Sequence, residues 1–98
     1  MTKHAIVIVI FKVSDPGAGM SAARGIVEDA RAFNDAIISA ELYQSASDPN
    51  VLTQRIVWEP VEKAKAAFAA SEQFPNMGKL MGLVTDQIFM DHFYLKEE

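Results

Sequence analysis

Residues 41–60 read ELYQSASDPNVLTQRIVWEP. Two runs rich in β-branched and aromatic residues, Ile37 to Gln44 and Val51 to Trp58, flank the polar segment SASDPN. Serine, aspartate, proline and asparagine are turn formers, so the stretch predicts a hairpin with a longer loop. The second strand ends at Trp58, the single tryptophan, and Pro60 follows two residues later. Proline suits the start of a helix, where its missing N–H would be unpaired anyway. The hairpin therefore hands over to a helix at the tryptophan.

Working outward, Ala5 to Val13 (AIVIVIFKV) is dense in Val and Ile. Ile6, Ile8 and Ile10 point one way and Val7, Val9, Phe11 and Val13 the other, the pattern of a strand buried on both faces. SDPGAG (14–19) breaks it. From Met20 to Asp35 the period changes: Met20, Ala23, Ile26, Val27, Ala30 and Phe33 recur at helical steps, with Arg24, Glu28, Asp29 and Arg31 elsewhere. Gly25 inside this helix suggests close packing. After Pro60, Val61, Ala64, Ala67, Phe68 and Ser71 form a second stripe, which Pro75 ends. NMGKLMGLV reads as a short helix with Met77, Leu80, Met81 and Val84 inward. Ile88 to Lys96 is the last strand, followed by a solvated tail. The order β-α-β-β-α-β is the α+β ferredoxin-like pattern: a four-stranded antiparallel sheet with helices on one face, in a single domain spanning 1–98.

Helices on one face should leave a polar opposite face. Instead the first strand is apolar on both sides, and the last carries Ile88, Met90 and Tyr94 opposite Phe89, Phe93 and Leu95. A bare apolar face is an interaction surface, and a twofold dimer packing sheet on sheet covers it. A homodimer is expected. Two further facts agree. Half of the residues are hydrophobic, and a 98-residue chain has a modest core.

The net charge is −4, and basic residues gather nowhere. This opposes a nucleic-acid surface, as does the missing RNP pattern of aromatic residues. With no cysteine, disulfides and thiolate metal sites are excluded, and a reducing cytoplasm is the expected setting. MTKHAIVIVIFKV has a charged start and an apolar run, but no small-residue cleavage site follows, and it reads as a strand. No stretch approaches the roughly 20 apolar residues of a membrane span. Metal-binding spacings, GxGxxG and the phosphate-loop lysine are missing too, so no metal or cofactor is expected.

ELYQSASDPNVLTQRIVWEP followed by VEKAKAAFAASEQF resembles the antibiotic biosynthesis monooxygenase family of dimeric α/β barrels. Members carry an aromatic-bearing strand, a polar turn like SASDPN, and a strand ending in Trp that leads into a helix. Ser71 and Phe74 fit the later part of that helix. The resemblance implies a dimeric α/β barrel and cofactor-independent oxygenation of a small aromatic compound of quinol or polyketide type. The haem-degrading branch has His ten residues after the tryptophan, where this chain has Phe68, and its first-strand Asn has no counterpart here. Relatives often carry an acidic residue two before the tryptophan; here it is Ile56.

On that resemblance Trp58 borders the ligand cavity, where an indole can stack a flat substrate and donate one N–H; otherwise it plugs the strand–helix corner. His92 is a candidate base or an interface residue. Asp91 and His92 are adjacent in a strand and point to opposite faces, so they form no dyad. Asp91 shares a face with Phe89 and Phe93 and is expected to be buried with a partner such as Arg55, or to line a pocket. Arg55 can clamp a substrate oxygen or form an interface ion pair. It shares a face with Thr53, while Gln54 and Trp58 take the other. Tyr43 can donate to a phenolate or sit on the rim. Phe33 and Phe68 are expected cavity walls, and His4 is expected to be exposed. With no flavin or nicotinamide signature, oxygen chemistry would draw on the substrate's own electrons. The rival readings are a ligand binder without turnover and a purely structural or regulatory dimer.

Overall fold

The computed structural model describes residues 4–96. Its elements are β1 (Ala5–Val13), α1 (Pro16–Phe33), β2 (Ile37–Gln44), β3 (Val51–Trp58), α2 (Val61–Ala70), a 3-10 turn at Ser71–Gln73, α3 (Pro75–Met81) and β4 (Val84–Tyr94). The strands form one antiparallel sheet in the order β2-β3-β1-β4. This is the ferredoxin-like arrangement expected from the sequence.

Several boundaries differ from the sequence reading. SDPGAG is not a loop but the start of α1: the Asp15 carboxylate accepts from Ala18 N–H at 3.1 Å and Pro16 takes the first helical turn. Gly19 fits there because a Cβ would stand 2.9 Å from Val13 Cγ2. Pro75 does not end α2, which stops at Ala70 before the Ser71–Gln73 turn, but opens α3. The last strand begins at Val84 rather than Ile88, and shifts in its pairing with β1 fall between Ile10 and Phe11 and between Lys12 and Val13. It ends at Tyr94; the last two tail residues, 97–98, lie outside the described residues.

Alternation divides the sheet. Ala5, Val7, Phe11 and Val13 of β1 and Leu52, Gln54, Ile56 and Trp58 of β3 are buried beneath the helices. The helices meet them with small residues: Ala22, Ala23, Ala30, Ala64 and Ala67 are all buried in the core cluster with Ile26, Val27, Phe74 and Leu80. Alanine brings helix and sheet close.

Among the described residues the opposite face has no layer over it. Register pairing lays three rows across it: Ser39–Val57–Ile6–Phe93, Glu41–Arg55–Ile8–Asp91 and Tyr43–Thr53–Ile10–Phe89. Ile6, Ile8 and Ile10 remain half-buried, not buried as a strand apolar on both faces predicts, because none of the described residues forms a layer over them. The rings of Phe89 and Phe93 stack at 6.3 Å on either side of Asp91. A mostly apolar face thus carries one polar row through its middle. Among the described residues no helix is long and apolar enough to cross a membrane.

Candidate functional site

The inner residues of β3 define the site. Leu52, Gln54, Ile56 and Trp58 are buried in alternation, and Gln54 is the one buried polar side chain among the described residues. Gln54 Nε2 donates to the Ala23 carbonyl of α1 at 2.9 Å, which fixes its amide. Above β3, α1, α2 and α3 leave a cavity of about 130 Å³. Its lining includes Gln54, Ile56 and Trp58 from β3, Phe68 from α2, Phe74, and Met77 and Leu80 from α3. Gln87 and Met90 of β4 and Ser71 also reach it. Ser71 Oγ donates to the Phe68 carbonyl at 2.7 Å.

A second, more open cleft of about 260 Å³ lies on the other side of the Trp58–Phe68 pair. Ala5, Val61, Ala64, Lys65, Ala69, His92 and Tyr94 complete its walls. His92 meets Phe68 edge to face, with ring centroids 4.6 Å apart.

Trp58 is 5% exposed, and its Nε1 is buried without a hydrogen-bond partner among the described residues. A buried donor left unpaired costs about 1–3 kcal/mol. Trp58 lines both spaces, but Nε1 itself is buried, so an acceptor on a ligand reaches it only if the wall gives way.

The seven candidate residues separate cleanly. Trp58, Phe68 and His92 come together around the cleft. Tyr43, Arg55 and Asp91 do not join them: their register places them on the uncovered sheet face. There Arg55 Nη1 donates to Glu41 Oε1 at 2.6 Å and Tyr43 Oη donates to Glu41 Oε2 at 3.0 Å. These bonds hold the Glu41 carboxyl below its ordinary pKa, the Arg55 bond contributing most, and the Glu41 bond raises the Tyr43 phenol. Asp91 is neither buried nor lining a pocket, and its partner is not Arg55: it is exposed and accepts from the His92 N–H at 2.8 Å. Ile8 stands between Asp91 and Arg55 in their row. Phe33 is outside the cavity lining and half-exposed, touching the cavity only through Phe74, whose ring lies 6.1 Å away.

Sequence reading missed Gln54 as a lining residue, although the signal was present. Gln54 is a polar residue on a strand face otherwise made of Leu52, Ile56 and Trp58. Gln87 gave no such signal, because its side of β4 depends on the shift in pairing near Phe89.

No family model matches the sequence, and no curated protein matches it. Solved structures do match, and they define the class: the chain has the fold of the antibiotic biosynthesis monooxygenases. SnoaB, a cofactor-independent oxygenase from Streptomyces nogalater, superposes with a TM-score of 0.75 at 15% identity, over 100% of this chain and 95% of that one. A candidate antibiotic biosynthesis monooxygenase from Chloroflexus aurantiacus gives 0.71 at 17% identity, over 97% and 95%. A protein from Shewanella oneidensis gives 0.76 at 15% identity, over 97% and 93%. Identities this low establish a common fold, and they leave the chemistry to be argued from the site.

Proposed function

We propose that this protein is a homodimeric, cofactor-independent oxygenase of a small aromatic compound, a quinol or an anthrone-type ketone. The observation that carries the reading is the buried, unpartnered Nε1 of Trp58 in the wall of an apolar cavity. The likeness in fold to a cofactor-independent oxygenase supports it.

The chemistry asks little of the protein. An electron-rich phenol or anthrone, once deprotonated, can pass an electron to O₂ directly. For an anthrone the balance is simple. The methylene loses both hydrogens and gains a carbonyl oxygen from O₂, and the second oxygen leaves as water. The protein must exclude water, hold the ring and stabilise the anion. Met77, Leu80, Phe74 and Met90 supply apolar walls. Trp58 Nε1 donates to the developing oxyanion. His92 lines the neighbouring cleft and not this cavity, so it takes the proton only through a path that Phe68 leaves open between the two. Tyr43, Arg55 and Asp91 are assigned to the dimer face instead of the reaction.

The test is oxygen uptake by the purified protein with a panel of quinols and anthrones. Uptake is expected to depend on the protein, and Trp58→Phe, which keeps a ring but removes the donor, is expected to lower it about tenfold or more. Uptake that is unchanged in Trp58→Phe would remove the indole from the mechanism.

A second reading is a binder without turnover. It is favoured by one observation: the His92 ring contacts Phe68 but has no hydrogen bond to an orienting group among the described residues. Saturable ligand binding without oxygen uptake would select it.

A further inference from the structure

Two spaces share two walls. Trp58 and Phe68 are the residues common to the inner cavity and the outer cleft. They differ in freedom. Trp58 is buried in the sheet at the end of β3, whereas Phe68 is 36% exposed on α2. Its neighbours Ala64 and Ala67 fill the helix–sheet contact, so the helix stays anchored when the ring turns. The edge contact with His92 sets the ring's resting position.

We propose that Phe68 is a partition that sets ligand size, with His92 as its positioning residue. The inner chamber, about 130 Å³, is close to the roughly 150 Å³ that accommodates one benzene ring. With Phe68 in place it takes a single ring. A three-ring skeleton needs roughly two to three times that room and reaches the Trp58 donor only if Phe68 swings aside and joins the chamber to the 260 Å³ cleft. The substrate class is therefore the one-ring member of the aromatic compounds proposed above: a monocyclic hydroquinone, one oxygen accepting from Trp58. This rests on the aromatic-ligand reading of the site and narrows it.

The experiment is calorimetric titration without oxygen, which separates binding from turnover. The probes are hydroquinone and anthrone, against wild type, Phe68→Ala, Phe68→Leu and His92→Ala. Wild type is expected to bind hydroquinone more tightly than anthrone. Phe68→Ala, which merges the two spaces, is expected to move the affinity ratio toward anthrone by about tenfold or more. Phe68→Leu keeps bulk and is expected to hold the ratio, while His92→Ala loosens the ring and gives an intermediate shift. Thermal unfolding of each variant confirms that it is folded. An unchanged ratio in folded Phe68→Ala, or a wild type that prefers anthrone, overturns the partition and leaves the oxygenase reading intact if oxygen uptake persists. Failure of both probes to bind wild type overturns the partition and the aromatic-ligand reading together.

Discussion

Gly25 shows how one atom's worth of space is used. A Cβ there would stand 2.2 Å from Asn76 Cγ, so any side chain must push Asn76 away. Asn76 is not idle: its backbone N–H and its Nδ2 both donate to Asp29 Oδ2 at 3.1 Å. Helix propensity alone would make Gly25→Ala stabilising by about 1 kcal/mol. Displacing a hydrogen-bonded side chain works against that, and overpacking costs about 1–3 kcal/mol. The expected result is a net loss of about 1 kcal/mol in Gly25→Ala. In Gly25→Ala with Asn76→Ala the loss should be smaller than the sum of the two single changes, because the clash is gone. A double-mutant cycle in urea checks it, and strict additivity would refute the account. Gly25 was legible in the sequence as a close-packing position, but its neighbour was not, since Asn76 lies 51 positions away. The same limit governs the candidate site. Alternation correctly separated Arg55 from Trp58 and Asp91 from His92 along each strand. It could not say which set of β4 joins which set of β3, because that needs the register of both strands against β1. The shifts on β4 and β2 fall outside the regular stretches that hold Asp91 and Tyr43, and they change the side only of residues beyond them, Gln87 and Ile37.

The elements most clearly written in the sequence are those with a strong period and clear ends. β1, β2 and β3 begin and end where expected, since turn residues bound them. The start of α1 was obscured because Gly17 and Gly19 look like loop residues, although Asp15-Pro16 is a cap followed by a first-turn proline. The start of β4 was obscured because Thr85, Asp86 and Gln87 are polar: Asp86 and Gln87 pair with Lys12 and Phe11, and Thr85 sits at the shift with its Oγ1 donating to the Lys12 carbonyl at 3.3 Å. α3 illustrates dependence on a distant partner. It has seven residues and no capping side chain of its own, too few to stand alone as a helix. Asp29 of α1 supplies the acceptor its first turn lacks. Asp29→Ala is therefore expected to cost about 1 kcal/mol and to concentrate the damage in α3, which roofs the cavity with Met77 and Leu80. Amide exchange in α3 should quicken about fivefold relative to α1. Equal acceleration in both helices would mean that Asp29 stabilises the whole fold and not this element.

At the scale of the whole molecule the uncovered face sets the strongest constraint. Four strands about 4.8 Å apart and about eight residues long make a plane of roughly 19 by 27 Å, or about 500 Å² before side-chain relief. A stable interface needs about 800 Å² from each partner, so a dimer must engage this face nearly edge to edge. Ile8 lies at its centre, between Arg55 and Asp91. Ile8→Asp would place a third carboxylate in that row and an unpaired charge in the middle of the contact. It is expected to raise the dissociation constant about a hundredfold or more, read as a fall from twice the chain mass to one in sedimentation. The Glu41–Arg55 pair adds a pH dependence whose sign follows from its shift. Arg55 and Tyr43 hold the Glu41 carboxyl below its ordinary value of 4.5. Its contribution is therefore present above that value and is lost as pH falls through the lower, folded one. Protonating Glu41 leaves Arg55 without its carboxylate on the face that a partner would cover, so the proposed dimer should weaken in the same acidic interval. Asp35 and Asp48 are also depressed, Asp35 by its bond to Lys63 and Asp48 chiefly by the Asn50 N–H, so acid should weaken the folded protomer as well. Glu41→Gln distinguishes the two effects. It should weaken the dimer already at neutral pH and flatten its acid dissociation, while the acid sensitivity from Asp35 and Asp48 persists. A wild type that sediments as a monomer at neutral pH and micromolar concentration would remove the dimer, and with it the assignment of Arg55, Tyr43 and Asp91 to its face.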